Sequence, residues 1–169
     1  MGLNGVKMLR TLIIARHAKA KRGLAYQNDF KRPLSSKGKT DALLIGTSLK
    51  KKGLIPDLVI SSAAKRAKKT AKRAITAMVY PGDLVLKRDL YLSGCKAYLK
   101  TIKALDDEIT SVMLVGHNPD LEELVYELTE EDVMIPTAGV VCIEIDLAHW
   151  KDIKNAHGRI TDYLGRLSE

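Results

Sequence analysis

Three short stretches of the chain set cation-capable side chains directly after apolar runs. Arg16 and His17 follow "LIIA", Ser61, Ser62 and Arg66 follow "LVI", and Gly116, His117 and Asn118 follow "SVMLV". An arginine grips phosphate oxygens through planar, paired hydrogen bonds, a geometry lysine lacks. A histidine adds a nucleophile or a proton carrier near neutral pH. Two arginines and two histidines gathered at one point suit a phosphate site, and specifically one that performs chemistry on the phosphate. Taken singly, each has a plainer reading. Arg16-His17 can be a solvated strand end, "GHNP" a turn and helix cap, and Arg66 one more charge in a lysine-rich helix. The repetition of strand followed by cation is what favours the joint reading.

For these residues to meet, the elements before them must lie side by side. Residues 11–15, 58–60, 84–86 and 111–115 form short apolar runs bounded by turn residues and separated by helical patterns. The segment 138–146 is the longest strand candidate, with Val140, Cys142 and Glu144 alternating against Val141, Ile143 and Ile145. Helices are predicted from Gly38 to Lys50–Lys52, after Ser61-Ser62, over Lys96–Leu105, and from "NPDLEELVYEL". In the last, Asn118 is placed to cap, Pro119 suits the first turn, and Asp120, Glu122 and Glu123 suit the helix dipole. In the second, Ala64, Ala67, Ala71, Ala74, Ile75 and Met78 share one face, and Lys65, Lys68, Lys69 and Lys72 form a stripe on another. This alternation predicts a three-layer α/β/α sandwich with a mostly parallel central sheet and one late strand as the candidate to run antiparallel. In such sheets ligands bind beyond the carboxyl ends of the strands, where all three stretches fall.

The totals bound the remaining choices. A length of 169 residues with 46% hydrophobic and 28% charged residues fits one globular domain over 1–169, with 1–8 as a frayed or non-native start. No apolar run approaches the roughly 20 residues needed to span a bilayer, so no membrane role is expected. Cys95 and Cys142 lack paired spacing and read as reduced thiols in a cytoplasmic protein. No cluster has metal-ligand spacing, so neither a metal nor another cofactor is expected. A net charge of +8 favours anionic partners.

The motifs resemble a known family. "RHAKA" is similar to the Arg-His signature of the histidine phosphatase superfamily, the phosphoglycerate-mutase-like group. "SSAAKRAKKTA" resembles its second motif, Ser-Ser-Pro-x-x-Arg-Ala-x-x-Thr-Ala, with Ala63 in place of the proline, and "VGHNPDLEEL" resembles its third. The lysine in "RHAKA", the stretch "DFKRPLSSKG" at 29–38, and "PTAGVVCIEID" followed by Trp150 are similar to the bacterial phosphohistidine phosphatase branch, SixA. The resemblance runs from about Leu12 to Leu164 in the family's order. The long insertions that build lids in mutases are missing, which implies an open site.

The resemblance implies a mechanism. His17 attacks phosphorus and becomes phosphohistidine, water then releases phosphate, and Arg16, Arg66 and His117 hold the transferring group, His117 as a protonated donor. Family members acting on ordinary esters carry an acid after the arginine motif. Asp89, in "KRDLYLSG", is the candidate general acid here, with a surface carboxylate as its plainer reading. Without an acid, an imidazole leaves more easily than an alkoxide, which implies a histidine-phosphorylated protein as substrate. Arg32 is a candidate at the phosphate rim, against an ordinary ion pair to a carboxylate. Lys19 is a candidate for added positive field. Thr137, Ala138 and Gly139 resemble a loop bordering the family's pocket, and His149 and His157 read as surface residues. The competing functions are a phosphatase of phosphate-bearing small molecules, and a non-catalytic phosphoprotein or polyanion binder. With 5% aromatic residues, a nucleic-acid partner is disfavoured. A monomer is the default.

Overall fold

In the computed structural model, which describes residues 8–23 and 28–165, the first apolar run becomes the central strand β1, Leu9–Arg16. Its side chains alternate between two separate cores. Leu12 and Ile14 pack on one face of the sheet, and Ile13 and Ala15 on the other. A strand buried on both faces needs a continuous apolar run rather than polar alternation, as "TLIIA" supplies.

Chain order continues with α1 (Ser36–Lys51), β2 (Leu58–Ser62), α2 (Lys65–Met78), β3 (Leu84–Lys87), α3 (Cys95–Lys103), β4 (Ser111–Gly116), α4 (Asp120–Thr129), β5 (Val140–Asp146) and β6 (Gly158–Leu164). The sheet order is β3-β2-β4-β1-β5-β6. β3, β2, β4 and β1 pair in parallel, while β5 is antiparallel to both β1 and β6. Helices α1 and α2 supply Ala42, Ile45, Leu49, Ala67, Ala71 and Ala74 to one core. Helices α3 and α4 supply Tyr98, Ile102, Leu121, Leu124 and Leu128 to the other. The result is the expected α/β/α arrangement with β5 as the late antiparallel strand. Each fully buried Leu or Ile contributes roughly 1.5–3 kcal/mol, so the two cores hold the strand exits rigidly.

Local chemistry explains the boundaries. Ser35 caps α1 by accepting from Gly38 N at 3.0 Å, so α1 starts at Ser36, earlier than the sequence pattern placed it. The small face of α2 lets α1 approach closely, since a Cβ on Gly46 would lie 2.1 Å from the Ala74 oxygen. Asn118 does not cap α4. The helix begins at Asp120 with Pro119 as its N-cap residue, and the Asn118 amide donates instead to Glu122 Oε1 and to Ile135 O, both at 2.8 Å. Strand β6 was not anticipated. Of the expected 1–8 start, residues 1–7 lie outside the described part, and Met8 pairs with the end of β5 through Leu147 N→Met8 O at 2.9 Å. Among the described residues no helix is long and apolar enough to cross a membrane.

Candidate active site

Register brings the two histidines together. β1 and β4 are parallel neighbours with Arg16 opposite Gly116. The next residue on each strand, His17 and His117, therefore leaves the sheet at the same level, and the ring centroids lie 5.2 Å apart. Gly116 is needed at this crossing. A Cβ there would sit 1.8 Å from the Tyr98 hydroxyl oxygen, which accepts from His117 N at 3.2 Å and donates to Leu90 O at 3.1 Å. β2 lies on the far side of β4 with Ser61 opposite Val115, which puts Ser62 level with Gly116, one residue short of His117 and within reach of its ring. Arg66 follows in the first turn of α2.

His17 is 8% exposed, and its Nδ1 lies 2.8 Å from the Ala18 carbonyl oxygen. A carbonyl only accepts, so Nδ1 carries the proton and Nε2 presents its lone pair. Thr70 anchors this turn by accepting from Ala18 N at 2.9 Å and donating to Arg66 O at 2.8 Å. Arg66 Nε donates to His17 Nε2 at 3.3 Å. Burial depresses the His17 pKa, and despite the Ala18 hydrogen bond it falls to about 3, with His117, Arg66 and Arg16 adding to the depression. The ring is neutral at pH 7, as a nucleophile must be.

His117 is 2% exposed. Burial first, then the charges of Arg66 and Arg16, lowers its pKa to about 4, so without an anion beside it this ring is also neutral rather than the protonated donor expected. Its Nε2 lies 2.8 Å from Ser62 Oγ, which already accepts from Ala64 N at 3.2 Å. Taking Ser62 as the donor to His117 Nε2 leaves the ring proton on Nδ1. That Nδ1 and Arg16 Nε are both buried without a partner. Buried polar atoms are rarely left so, and those that are call for a ligand, a water or a functional reason. Arg16 spends Nη1 on Ile135 O at 3.0 Å. Its backbone is braced by the 136–139 turn, Arg16 N donating to Gly139 O at 3.0 Å and Ala138 N to His17 O at 3.1 Å.

Arg66 is arranged differently from the paired grip expected. Its Nη1 and Nη2 are held by Asp29, through the main-chain oxygen at 2.9 Å and Oδ2 at 3.0 Å. Only the Nε edge faces His17. Tyr91 OH donates to the same Oδ2 at 2.7 Å, and the Tyr91 ring lies 5.5 Å from that of His117. Arg32 pairs with Asp29 Oδ1 at 3.1 Å and reaches Lys21 O at 3.1 Å, so it is the ordinary ion pair rather than a direct contact to the four residues. Asp89 is exposed and makes no hydrogen bond or ion pair with Arg16, His17, Arg66 or His117. The carboxylate at the site is Asp29 instead. Burial acts to raise its pKa, but the bond from Tyr91 and the charge and hydrogen bond of Arg66 outweigh it and hold Asp29 below its ordinary value. Lys19, His149 and His157 are exposed. Asp29, Tyr91, Ser62 and Thr70 were missed as site residues. The "DFKRPLS" stretch was the one available signal for Asp29.

The site thus joins a neutral imidazole with a fixed lone pair to two arginines and a second imidazole, a set suited to taking up a phosphoryl group. The family model of the histidine phosphatase superfamily (branch 1) matches residues 12–91, from β1 through Arg66 to Tyr91. The chain belongs to that superfamily. It is a SixA-like phosphatase-class hydrolase with the phosphoglycerate-mutase-like fold. An uncharacterised Picosynechococcus protein is 30% identical over 137 residues, covering 77% of this chain and 82% of its own. An Agrobacterium tumefaciens protein assigned as the phosphohistidine phosphatase SixA matches with 29% identity and a TM-score of 0.79, covering 93% of this chain and 98% of its own. The protein histidine phosphatase SixA complexed with tungstate shares the fold at 23% identity and a TM-score of 0.79, over 92% and 96% of the two chains.

Proposed function

We propose that the protein hydrolyses phosphohistidine on a partner protein, through a covalent phosphohistidine on His17. The observation that carries this reading is the state of Asp29. Its carboxylate accepts from Arg66, Arg32 and Tyr91 and is held below its ordinary pKa, so it has no proton to give. A site whose carboxylate is an acceptor favours a leaving group that departs with little help. The imidazole of phosphohistidine does so, whereas an alkoxide needs a general acid.

In the first step His17 Nε2 attacks phosphorus in line. The substrate P–N bond breaks and its electron pair returns to the leaving nitrogen, while the proton already carried by the other nitrogen of the substrate ring stays there, so that a neutral imidazole departs. Arg66 Nε–H, released from the His17 lone pair as that pair bonds phosphorus, turns to a phosphoryl oxygen. Arg16 Nε–H and His117 Nδ1–H are the other donors, and the anion raises the His117 pKa towards protonation. In the second step water attacks phosphorus, the P–Nε2 bond breaks, and its pair restores neutral His17. The Ala18 carbonyl keeps the ring proton on Nδ1 throughout.

Turnover of a phosphohistidine peptide measured beside that of several alkyl phosphates tests the substrate class. The expected result is a kcat/KM higher by at least about 100-fold for the peptide, in line with the contribution of general acid catalysis to ester cleavage. Faster turnover of the alkyl esters overturns this reading in favour of a small-ester phosphatase.

A further inference from the structure

A second recess of about 800 Å³ lies between α3 and α4, away from the four site residues. Leu99, Leu128 and Val133 give it apolar lining, and Tyr126, 48% exposed, contributes an aromatic ring. Glu122, Glu123, Glu127 and Asp132 line it as well. These carboxylates outnumber the lining lysines, Lys96 and Lys154, in a chain whose overall charge is +8. The negative field is local and felt within the recess, since Glu127, Glu123 and Asp120 add to burial in pushing the Cys95 thiol up to about 11.

The recess adjoins the Arg16 side of the site through Glu122. Glu122 lines both it and a smaller cavity of about 480 Å³ that contains Arg16, Met134, Ile135 and Tyr163. Glu122 Oε1 accepts from Asn118 Nδ2 and from Ile135 N, both at 2.8 Å, and Ile135 O accepts from Arg16. Glu122 is thus a wall shared by the recess and the cavity that Arg16 lines. Apolar lining, an accessible aromatic and a rim of carboxylates are complementary to an amphipathic segment bearing lysine or arginine.

We propose that this α3–α4 recess docks a basic amphipathic segment of the phosphoprotein substrate, next to its phosphohistidine. The proposal rests on the phosphohistidine reading and adds to it the chemistry of the partner. It runs against the bulk charge of the protein, which by itself favours an acidic partner.

The test uses the full chain with two phosphohistidine peptides of matched length, one with lysine-rich amphipathic flanks and one with glutamate in place of the lysines. Phosphoramidate serves as a substrate too small to reach the recess. The wild-type protein is expected to prefer the basic peptide. The double substitution Glu123→Gln and Glu127→Gln, at two exposed positions, is expected to lower kcat/KM for that peptide by about 3- to 10-fold, as two partly exposed ion pairs predict. The loss falls mainly on KM and shrinks with added salt, and phosphoramidate turnover stays level. Equal effects on both peptides, or a wild-type preference for the acidic one, overturn the docking assignment while leaving the phosphohistidine activity in place. Turnover of phosphoramidate with neither peptide cleaved overturns the phosphoprotein reading, and the docking assignment with it.

Discussion

Asp29 holds both terminal amino groups of Arg66, one by its main-chain oxygen at 2.9 Å and the other by its carboxylate at 3.0 Å. The guanidinium is thereby turned so that its Nε edge, and not its fork, meets His17 Nε2. Asp29 acts as a positioning residue. Replacing Asp29 with Asn keeps an acceptor but removes the charge that orients Arg66. The expected result is a fall in kcat of about 10-fold or more with a smaller change in KM, since misplacement of a transition-state contact costs rate before binding. Glu at this position should recover part of the loss. A rise in KM alone would show that Arg66 does not depend on Asp29 for its alignment.

Ser62 governs the proton of His117. With Ser62→Ala, His117 Nε2 loses its partner at 2.8 Å and the ring can place its proton on either nitrogen. Nitrogen NMR of the histidine rings is expected to show the Nδ1–H tautomer of His117 in the wild-type protein and a mixture in the variant. The variant should lose about 1–3 kcal/mol of stability for the buried unpaired nitrogen, and Ser62→Thr should restore the tautomer.

The two histidines make stability depend on pH in a definite direction. Their folded pKa values, about 3 for His17 and about 4 for His117, lie below that of a free imidazole. Between those values and about 6.5 the unfolded chain binds more protons than the folded one. Their contribution is thus complete above pH 6.5 and is lost as pH falls through the folded values, at about 1.4 kcal/mol per pH unit for each ring. Denaturant unfolding followed from pH 7 to 4 should show this loss, and His117→Gln should reduce the slope. Equal slopes in the two proteins would contradict a neutral, buried His117.

Gly116 has no tolerance for a side chain, because a Cβ would lie 1.8 Å from the Tyr98 oxygen. Gly116→Ala is expected to destabilise the fold by about 1–3 kcal/mol through overpacking. Adding Tyr98→Phe, which removes that oxygen, should recover part of the loss in thermal unfolding.

Much of this site was legible because strand exits announce themselves in a chain. "LIIARH", "LVISS" and "SVMLVGH" each pair an apolar run with its polar terminus, and parallel register then makes the termini coincide. Asp29 was not legible as the partner of Arg66, since 37 positions separate them and only the packing of the 28–35 loop against α2 makes the pair. Asn118 misled for a related reason. An Asn before Pro reads as a cap, but Nδ2 is held by the Glu122 and Ile135 oxygens and Oδ1 meets no helix N–H. β6 was hidden because "GRITDYL" is an edge strand, half-exposed and carrying Arg159 and Asp162, so it lacks the apolar run of an interior strand.

The central claim is that His17 Nε2 carries the phosphoryl group. Incubation with phosphoramidate, alkaline quenching and peptide mass spectrometry tests it most directly. An acid-labile, base-stable phosphate on His17 is expected, absent from His17→Ala, which should also lose turnover by at least about 10⁴-fold while remaining folded. Phosphate on another side chain, or undiminished turnover in His17→Ala, would contradict the account.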